Sequence, residues 1–181
     1  MAVLDEADLV ARAAAGDQDA FARLVGPHRD RVMAVCYRIT GDRGAAEDAA
    51  QATLVAAWRN LSRFEGRSAF GTWLHRIAHN AALGVVRKRV PEPVATGPVD
   101  PVTGLPDRHA DATERLADVD RVNRALAKLP EDFRAALVLR EVAGLGYDEI
   151  ARIQGVNEGT VASRINRAKR AMAALLGGDD G

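Results

Sequence analysis

Apolar positions recur at helical spacing from one end of this chain to the other, and no stretch alternates with a period of two. The pattern predicts an all-α fold with no sheet. Residues 4–15 read as a short helix stopped at Gly16-Asp17. A second run carries Phe21, Leu24, Val25, Val32, Val35 and Ile39, with Asp17 or Asp19 as its cap and Pro27 placed to split or kink it. After the turn at Gly41-Asp42, residues 45–61 predict a helix with two faces. Ala50, Leu54, Ala57, Trp58 and Leu61 form its inward stripe, while Asp48, Gln51, Ala52 and Val55 form another. Residues 63–67 read as a loop around Gly66, and Ser68 as the cap of a long helix. That helix turns Phe70, Trp73, Leu74, Ile77 and Ala81 toward a core and carries Arg76, Asn80, Leu83 and Arg87 on another side. Gly71 and Gly84 each weaken it by about 1 kcal/mol relative to Ala.

The period then vanishes. Residues 91–112 hold five of the 7 prolines and predict a linker, semi-extended by those prolines. At roughly 3.3 Å per residue it reaches up to about 70 Å, more than the ~34 Å of one DNA turn. The chain thus divides into a helical domain at 1–90, the linker, and a second helical domain at 113–181. In the second domain Leu116, Val119, Val122, Leu126 and Leu129 mark a helix ending at Pro130, which opens the next with Phe133, Leu137, Val138 and Val142. Gly144-Leu145-Gly146 leads into YDEIARIQGVNEGTVASRINRAKRAM, residues 147–172. Tyr147, Ile150, Ala151 and Ile153 make one apolar stripe, and Gly155 breaks it where a helix wants a left-handed cap. From Thr160 a second stripe follows through Val161, Ile165, Ala168 and Met172. Two short helices joined by a Gly-containing turn, the second basic, outline a helix-turn-helix.

Composition changes this picture only locally. The 181 residues are 48% hydrophobic but 4% aromatic, so aliphatic side chains must pack the cores. Lys and Arg number 25 and Asp and Glu 25, for a formal charge of +0. Nucleic-acid binding therefore has to rest on segregated charge. Segregation is present: Arg87, Lys88 and Arg89 form one basic end, and every charged residue of 159–173 is basic (Arg164, Arg167, Lys169, Arg170). Acid gathers instead at 5–8, 42–48 and 179–180. Ser163, Asn166, Arg167 and Arg170 oppose the apolar stripe of the last helix, a face suited to phosphates and base edges. Basic residues of the 62–89 stretch, with Phe64 and Trp73 nearby, offer charge for a backbone and flat surfaces for bases, as single-strand binding requires. The plainer reading, that the aromatics are core, is favoured for Phe70 and Trp73.

Cys36 is the only cysteine, sits in an apolar run and is expected to be an inert core thiol in a reducing compartment. No signal peptide or apolar stretch of membrane-spanning length is evident, so a cytoplasmic protein without membrane insertion is expected. His75 and His79 have the spacing of two metal ligands on one helix face, but HRIAH lacks the Glu of H-E-x-x-H and no third ligand is evident. No catalytic arrangement, metal or cofactor is expected. A plain dimeric helix-turn-helix regulator would account for 147–172 but leave residues 62–89 and the linker without a job.

Together, AEDAAQATLVAAWRN, FEGRSAFGTWLHRIAHN and LPEDFRAALVLREVAGLGYDEIARIQGVNEGTVASRINRAKRAM resemble the extracytoplasmic-function (ECF) sigma factors of bacterial RNA polymerase. The likeness covers 19–89 and 112–176. Leu54 stands where the family usually has an aromatic, Gly84 replaces a common acid, His75 and His79 occupy positions more often filled otherwise, and Ala162 replaces a common basic residue. The resemblance implies a factor that binds core RNA polymerase and promoter DNA, duplex and single-stranded, with an anti-sigma protein as a candidate partner. It implies that Asp48, Gln51 and Val55 dock on the polymerase clamp. Arg63, Phe64, Arg67 and Ser68 would belong to the loop receiving an unstacked −10 base, with Arg76, Asn80 and Arg87 along the non-template strand. Thr160, Ser163, Asn166 and Arg167 would enter the −35 major groove, with Arg164 and Arg170 nearer the backbone. The polymerase, not the factor, performs the chemistry.

Overall fold

The computed structural model describes residues 5–88 and 110–177, with side chains of the second segment described from 118 onward. All regular structure among them is helical. The expected linker lies outside the described residues except for 110–112, which already belong to a helix. Arg89, the acidic 179–180 pair and the side chain of Leu116 also lie outside them.

In the first half, α1 (Glu6–Ala14) and α2 (Gln18–Val25) form a hairpin around Gly16, whose φ of 99° suits glycine. Of the two candidate caps, Asp17 takes the role: its carboxylate accepts from the Ala20 amide at 3.0 Å and pairs with Arg12 at 2.6 Å. Pro27 lies in a 3-10 turn (Gly26–His28) that splits the second apolar run, and α3 (Arg29–Thr40) continues it as a separate helix. Gly41, at φ 71°, ends α3. Asp42 caps α4 (Arg43–Asn60) through the Ala45 amide at 2.7 Å. A 3-10 turn (Leu61–Arg63) and a loop then lead to α5 (Phe70–Lys88). Helices α3, α4 and α5 pack on one another as the bundle of this half.

Two inward stripes differ from expectation. On α4 the buried residues are Ala45, Ala46, Ala49, Thr53 and Ala57, while Ala50 and the larger Leu54 and Trp58 are only half-buried. Small side chains let α3 and α5 approach closely, so the bulkiest apolar positions lie beside the seam rather than in it. Thr53 is tolerated there because its hydroxyl donates to the Ala49 carbonyl at 2.7 Å. Trp58 is flanked by Phe21 of α2, ring edge to face at 5.0 Å. On α5, Leu74, Ala78 and Ala82 are buried with Phe70, and so are His75, His79 and Leu83. Leu83 therefore does not share the exposed side of Arg76, Asn80 and Arg87. Trp73, Ile77 and Ala81 are half-buried. Ser68 does not cap α5: its hydroxyl donates to the Ala69 carbonyl, while the Phe70 amide donates to Glu6 of α1 at 3.2 Å.

Cys36 is fully buried, and burial pushes its thiol up to about 11, against an opposing hydrogen bond with Thr53. It is an inert part of the core.

The second half comprises α6 (Ala110–Ala127), α7 (Glu131–Glu141), α8 (Tyr147–Gln154) and α9 (Glu158–Gly177). Pro130 is the cap residue of α7 rather than its first helical position. Val119 is exposed, while Leu126 and Leu129 are buried. Tyr147, assigned to the inward stripe of α8, is instead 38% exposed under the Arg140 guanidinium, 5.3 Å from its ring centre. Gly155, at φ 67°, ends α8. The Asn157 side chain then accepts from the Thr160 amide at 2.7 Å and starts α9. The two halves touch: α3 packs against α6 and α7.

Candidate polymerase and nucleic-acid interfaces

The second face of α4 is open. Asp48, Gln51, Ala52 and Val55 are all exposed, with Val55 at 42%. Gln51 also borders a groove between α3 and α4 lined by Arg29, Met33, Ala50 and Leu54. An exposed valine between polar neighbours costs nothing to the fold when replaced and is available to a partner.

The loop before α5 turns at Gly66, φ 67°, and presents Arg63, Arg67 and Ser68. Phe64 is not the free base platform expected of a loop aromatic. It is half-buried, its ring 5.2 Å from Trp73 and 5.9 Å from Phe70. It closes the bundle's end with one edge while lining a cleft with another. Arg63, Phe64, Arg67, Ser68, Thr72, Trp73 and Arg76 line one side of this cleft of about 460 Å³, and Glu149, Arg152 and Ile153 of α8 line the other. Arg67 is paired with Glu65 at 2.6 Å, both exposed. Farther along α5, Asn80 is exposed with its side chain 3.2 Å from His79 Nδ1. Arg87 pairs with Glu131 of α7 at 2.9 Å.

His75 and His79, considered above as a ligand pair, are 2% and 4% exposed. Burial, with His28 and Arg31 nearby, lowers His75 to about 4, and burial also lowers His79. Among the described residues no group of three or more His, Cys, Asp or Glu converges as metal ligands would.

In the helix-turn-helix, Val161, Ile165 and Ala168 of α9 are buried and Ser163, Asn166, Arg167 and Arg170 exposed, with Thr160 half-buried. Arg164, expected nearer a DNA backbone, is engaged within the protein. Its side chain is 17% exposed, donates to Gln154 at 2.8 Å and pairs with Asp132 at 2.7 Å, tying α9 to α8 and α7. Lys169 is likewise paired, with Glu141 at 2.8 Å. Among the described residues, Arg167 and Arg170 remain the unpaired cations of this face. Thr72, Glu131 and Glu149 were not singled out by sequence, because their roles depend on how the halves meet.

Residues 24–91 match the family model of Sigma-70 region 2, and residues 120–172 that of Sigma-70 region 4. The chain belongs to the ECF RNA polymerase sigma factors. The sigma factor is 33% identical over 173 residues to SigW of Bacillus subtilis, covering 89% of this chain and 91% of SigW. It is 37% identical over 183 residues to the sigma-H factor of Pseudomonas aeruginosa, covering 93% and 92%. Among solved structures, CnrH in complex with the cytosolic domain of CnrY superposes with a TM-score of 0.72 at 30% identity, covering 95% of this chain and 97% of that one. RpoE of Bartonella quintana, bound to the anti-sigma factor NepR, superposes at 0.68 with 28% identity, covering 88% and 98%. As a sigma factor the chain acts in promoter-specific initiation of transcription by RNA polymerase. Among the described residues no helix is long and apolar enough to cross a membrane.

Proposed function

We propose that this sigma factor divides promoter recognition between its halves, in the cytoplasm and without chemistry of its own. Asp48, Gln51 and Val55 dock on core polymerase. Arg63, Phe64, Arg67 and Ser68 receive an unstacked −10 base, and Arg76, Asn80 and Arg87 follow the single strand. Unstacking costs a few kcal/mol, offset by stacking and hydrogen bonds in the loop. Thr160, Ser163, Asn166 and Arg167 enter the −35 major groove, with Arg170 at a phosphate. The observation that carries this reading is the pairing of two one-sided surfaces on a single chain. One is the arginine-rich edge of α5 and its preceding loop, ending in an aromatic cluster; the other is a helix whose buried stripe leaves Ser163, Asn166, Arg167 and Arg170 outward.

Run-off transcription with purified core polymerase on a promoter library tests it directly. Transcripts whose templates share a −35 and a −10 element are expected; polymerase-dependent transcription with no shared upstream element contradicts the division. Asp48→Arg with Gln51→Ala should weaken core binding at unchanged helix content, and undiminished affinity removes the docking face. The two solved relatives were captured with protein partners, CnrY and NepR. An anti-sigma protein is the corresponding partner proposed here.

A further inference from the structure

Both ends of the loop before α5 are held by α1. At one end, α1 packs against the 3-10 turn Leu61–Arg63. At the other, Glu6, the first residue of α1, accepts from the Phe70 amide through Oε1 at 3.2 Å. The first amides of a helix have no acceptor within it, and a carboxylate there also meets the positive end of the helix dipole. Ser68 is turned onto the Ala69 carbonyl, so the acceptor for the first amide of α5 comes from 64 residues away. The turn it secures is weak in itself. Gly71 is its second residue, and the His28 ring crowds the place of a Cβ there, with Cε1 only 2.7 Å away. Within the loop, the Phe64 amide donates to the Leu61 carbonyl at 2.9 Å, Gly66 makes the turn, and Glu65 pairs with exposed Arg67. Phe64 rests on Phe70 and Trp73, so its ring follows the first turn of α5 wherever that turn is set.

We propose that Glu6 is a positioning residue for −10 reading, fixing the start of α5 against α1 and so setting where Phe64 and the loop arginines meet the unstacked base. This rests on the base-capturing role of the loop proposed above. Without the carboxylate oxygen the first turn of α5 is free to fray, which moves Phe70 and with it one support of the Phe64 ring. The bundle itself does not depend on the bond: Glu6 is exposed, while Leu61, Phe70 and Leu74 are buried on their own account. Its removal therefore reaches the geometry of the loop before the stability of the domain. The docking face of α4 and the outward face of α9 belong to other elements, and their affinities should stay as they are.

The test uses the full chain assembled with core polymerase, as wild type, Glu6→Ala and Glu6→Gln. Binding is measured to fork-junction DNA, duplex through the −35 element and single-stranded across the −10, carrying either the preferred base or a replacement at the unstacked position. Glu6→Ala should lower the affinity ratio between preferred and replaced base about fivefold, and slow promoter opening, read by permanganate reactivity, by a similar factor. Glu6→Gln keeps a side-chain oxygen for the Phe70 amide and should recover most of both. Melting temperature, core affinity and −35 duplex affinity should change little in either variant. An unchanged base ratio in Glu6→Ala overturns the positioning role. So does a lowered melting temperature with equal losses on every DNA, or a Gln variant as impaired as the Ala variant. Arg63→Ala with Arg67→Ala supplies the reference. If that pair lowers the base ratio and Glu6→Ala does not, only this inference falls; if the pair leaves the ratio untouched, the loop does not read the base and both fall.

Discussion

Arg164 reaches Asp132 at 2.7 Å from within the helix-turn-helix, joining the recognition helix to the first turn of α7. The same guanidinium donates to Gln154, whose own side chain donates to the Asp132 carbonyl at 3.1 Å. A basic residue of α9 is thereby engaged in setting that helix's angle against α7 and α8. Arg164→Ala should lower the stability of the second half by about 1 kcal/mol, since Asp132 is half exposed and solvent screens the pair. Asp132→Asn should produce most of the same loss while changing no cation. Thermal melting of both variants checks this; if only Arg164→Ala affects DNA binding and neither affects melting, Arg164 belongs to the DNA contact after all.

The pH dependence of the first half should be set by its buried histidines, His75 among them. His75 is buried against His28, itself lowered by burial although Glu6 opposes the shift, and Arg31 lies close to both. In the unfolded chain His75 titrates near 6.5, in the folded one near 4. The unfolded state therefore binds the extra proton between those values, and stability falls as pH drops through that window. His75 contributes its full stability only above the unfolded value. By pH ~5 it alone removes about 2 kcal/mol relative to neutral pH. The carboxylates with lowered values, Asp17 and Asp148, act below 3.8 and leave this window alone. Urea midpoints at neutral pH and at pH ~5 should lie closer together in His75→Leu than in wild type, with the remainder left to the other lowered histidines, His28 and His79; an unchanged difference assigns the effect elsewhere.

Among the described residues periodicity exposed the α-helices, with α2 and α3 as a single run that Pro27 splits or kinks, because a one-sided helix must repeat its apolar residues. Some caps were legible for the same local reason: Gly155, and Asp17 as one of two candidates, act within a few residues of themselves, whereas Ser68 does not cap α5 because Glu6 of another helix takes the Phe70 amide. Asp48, Gln51, Val55, Asn166, Arg167 and Arg170 are exposed as their positions off the apolar stripes require. What failed was anything set by a neighbouring element. The α4 seam follows close approach by alanines, not side-chain size. Tyr147 is drawn outward by Arg140, and Arg164 inward by Asp132. Phe64 sits in a loop by sequence but meets Trp73 because the chain folds back at Gly66. His75 and His79 carried a metal-like spacing whose real context, a buried face opposite His28, lay 47 residues away for His75 (75 − 28).

Two glycines of α5 should respond differently to the same substitution. A Cβ at Gly84 would meet nothing within 4 Å, so Ala there should gain up to about 1 kcal/mol of helix propensity. A Cβ at Gly71 would stand 2.7 Å from His28 Cε1, and that ring is wedged beside Phe70 at 5.7 Å and His75 at 6.5 Å. Gly71→Ala must displace the imidazole, so its gain should be smaller or reversed. Gly84→Ala is expected to raise the melting temperature by about 2–4 °C. Equal increases in both variants would mean that His28 moves aside freely.

On the recognition helix, base reading and phosphate anchoring should separate between Asn166 and Arg170. Both are exposed, and the buried Val161, Ile165 and Ala168 fix which face they share. Asn166 is short and uncharged and forms a paired hydrogen bond only with a suitably placed base edge. Asn166→Ala should cost about 1–3 kcal/mol on the preferred −35 element and much less on unrelated DNA. Arg170 lies one turn nearer the helix end and, unlike Arg164 and Lys169, has no acidic partner among the described residues that DNA must first displace. Arg170→Ala should weaken all duplexes alike and lower the slope of log affinity against log salt by about one unit. Arg164→Ala, with its charge already neutralised by Asp132, should change that slope much less. Titrations of polymerase holoenzyme on matched and unmatched promoter duplexes at several salt concentrations distinguish the three. Uniform weakening by Asn166→Ala, or a slope unmoved by Arg170→Ala, would reverse the assignment of reader and anchor.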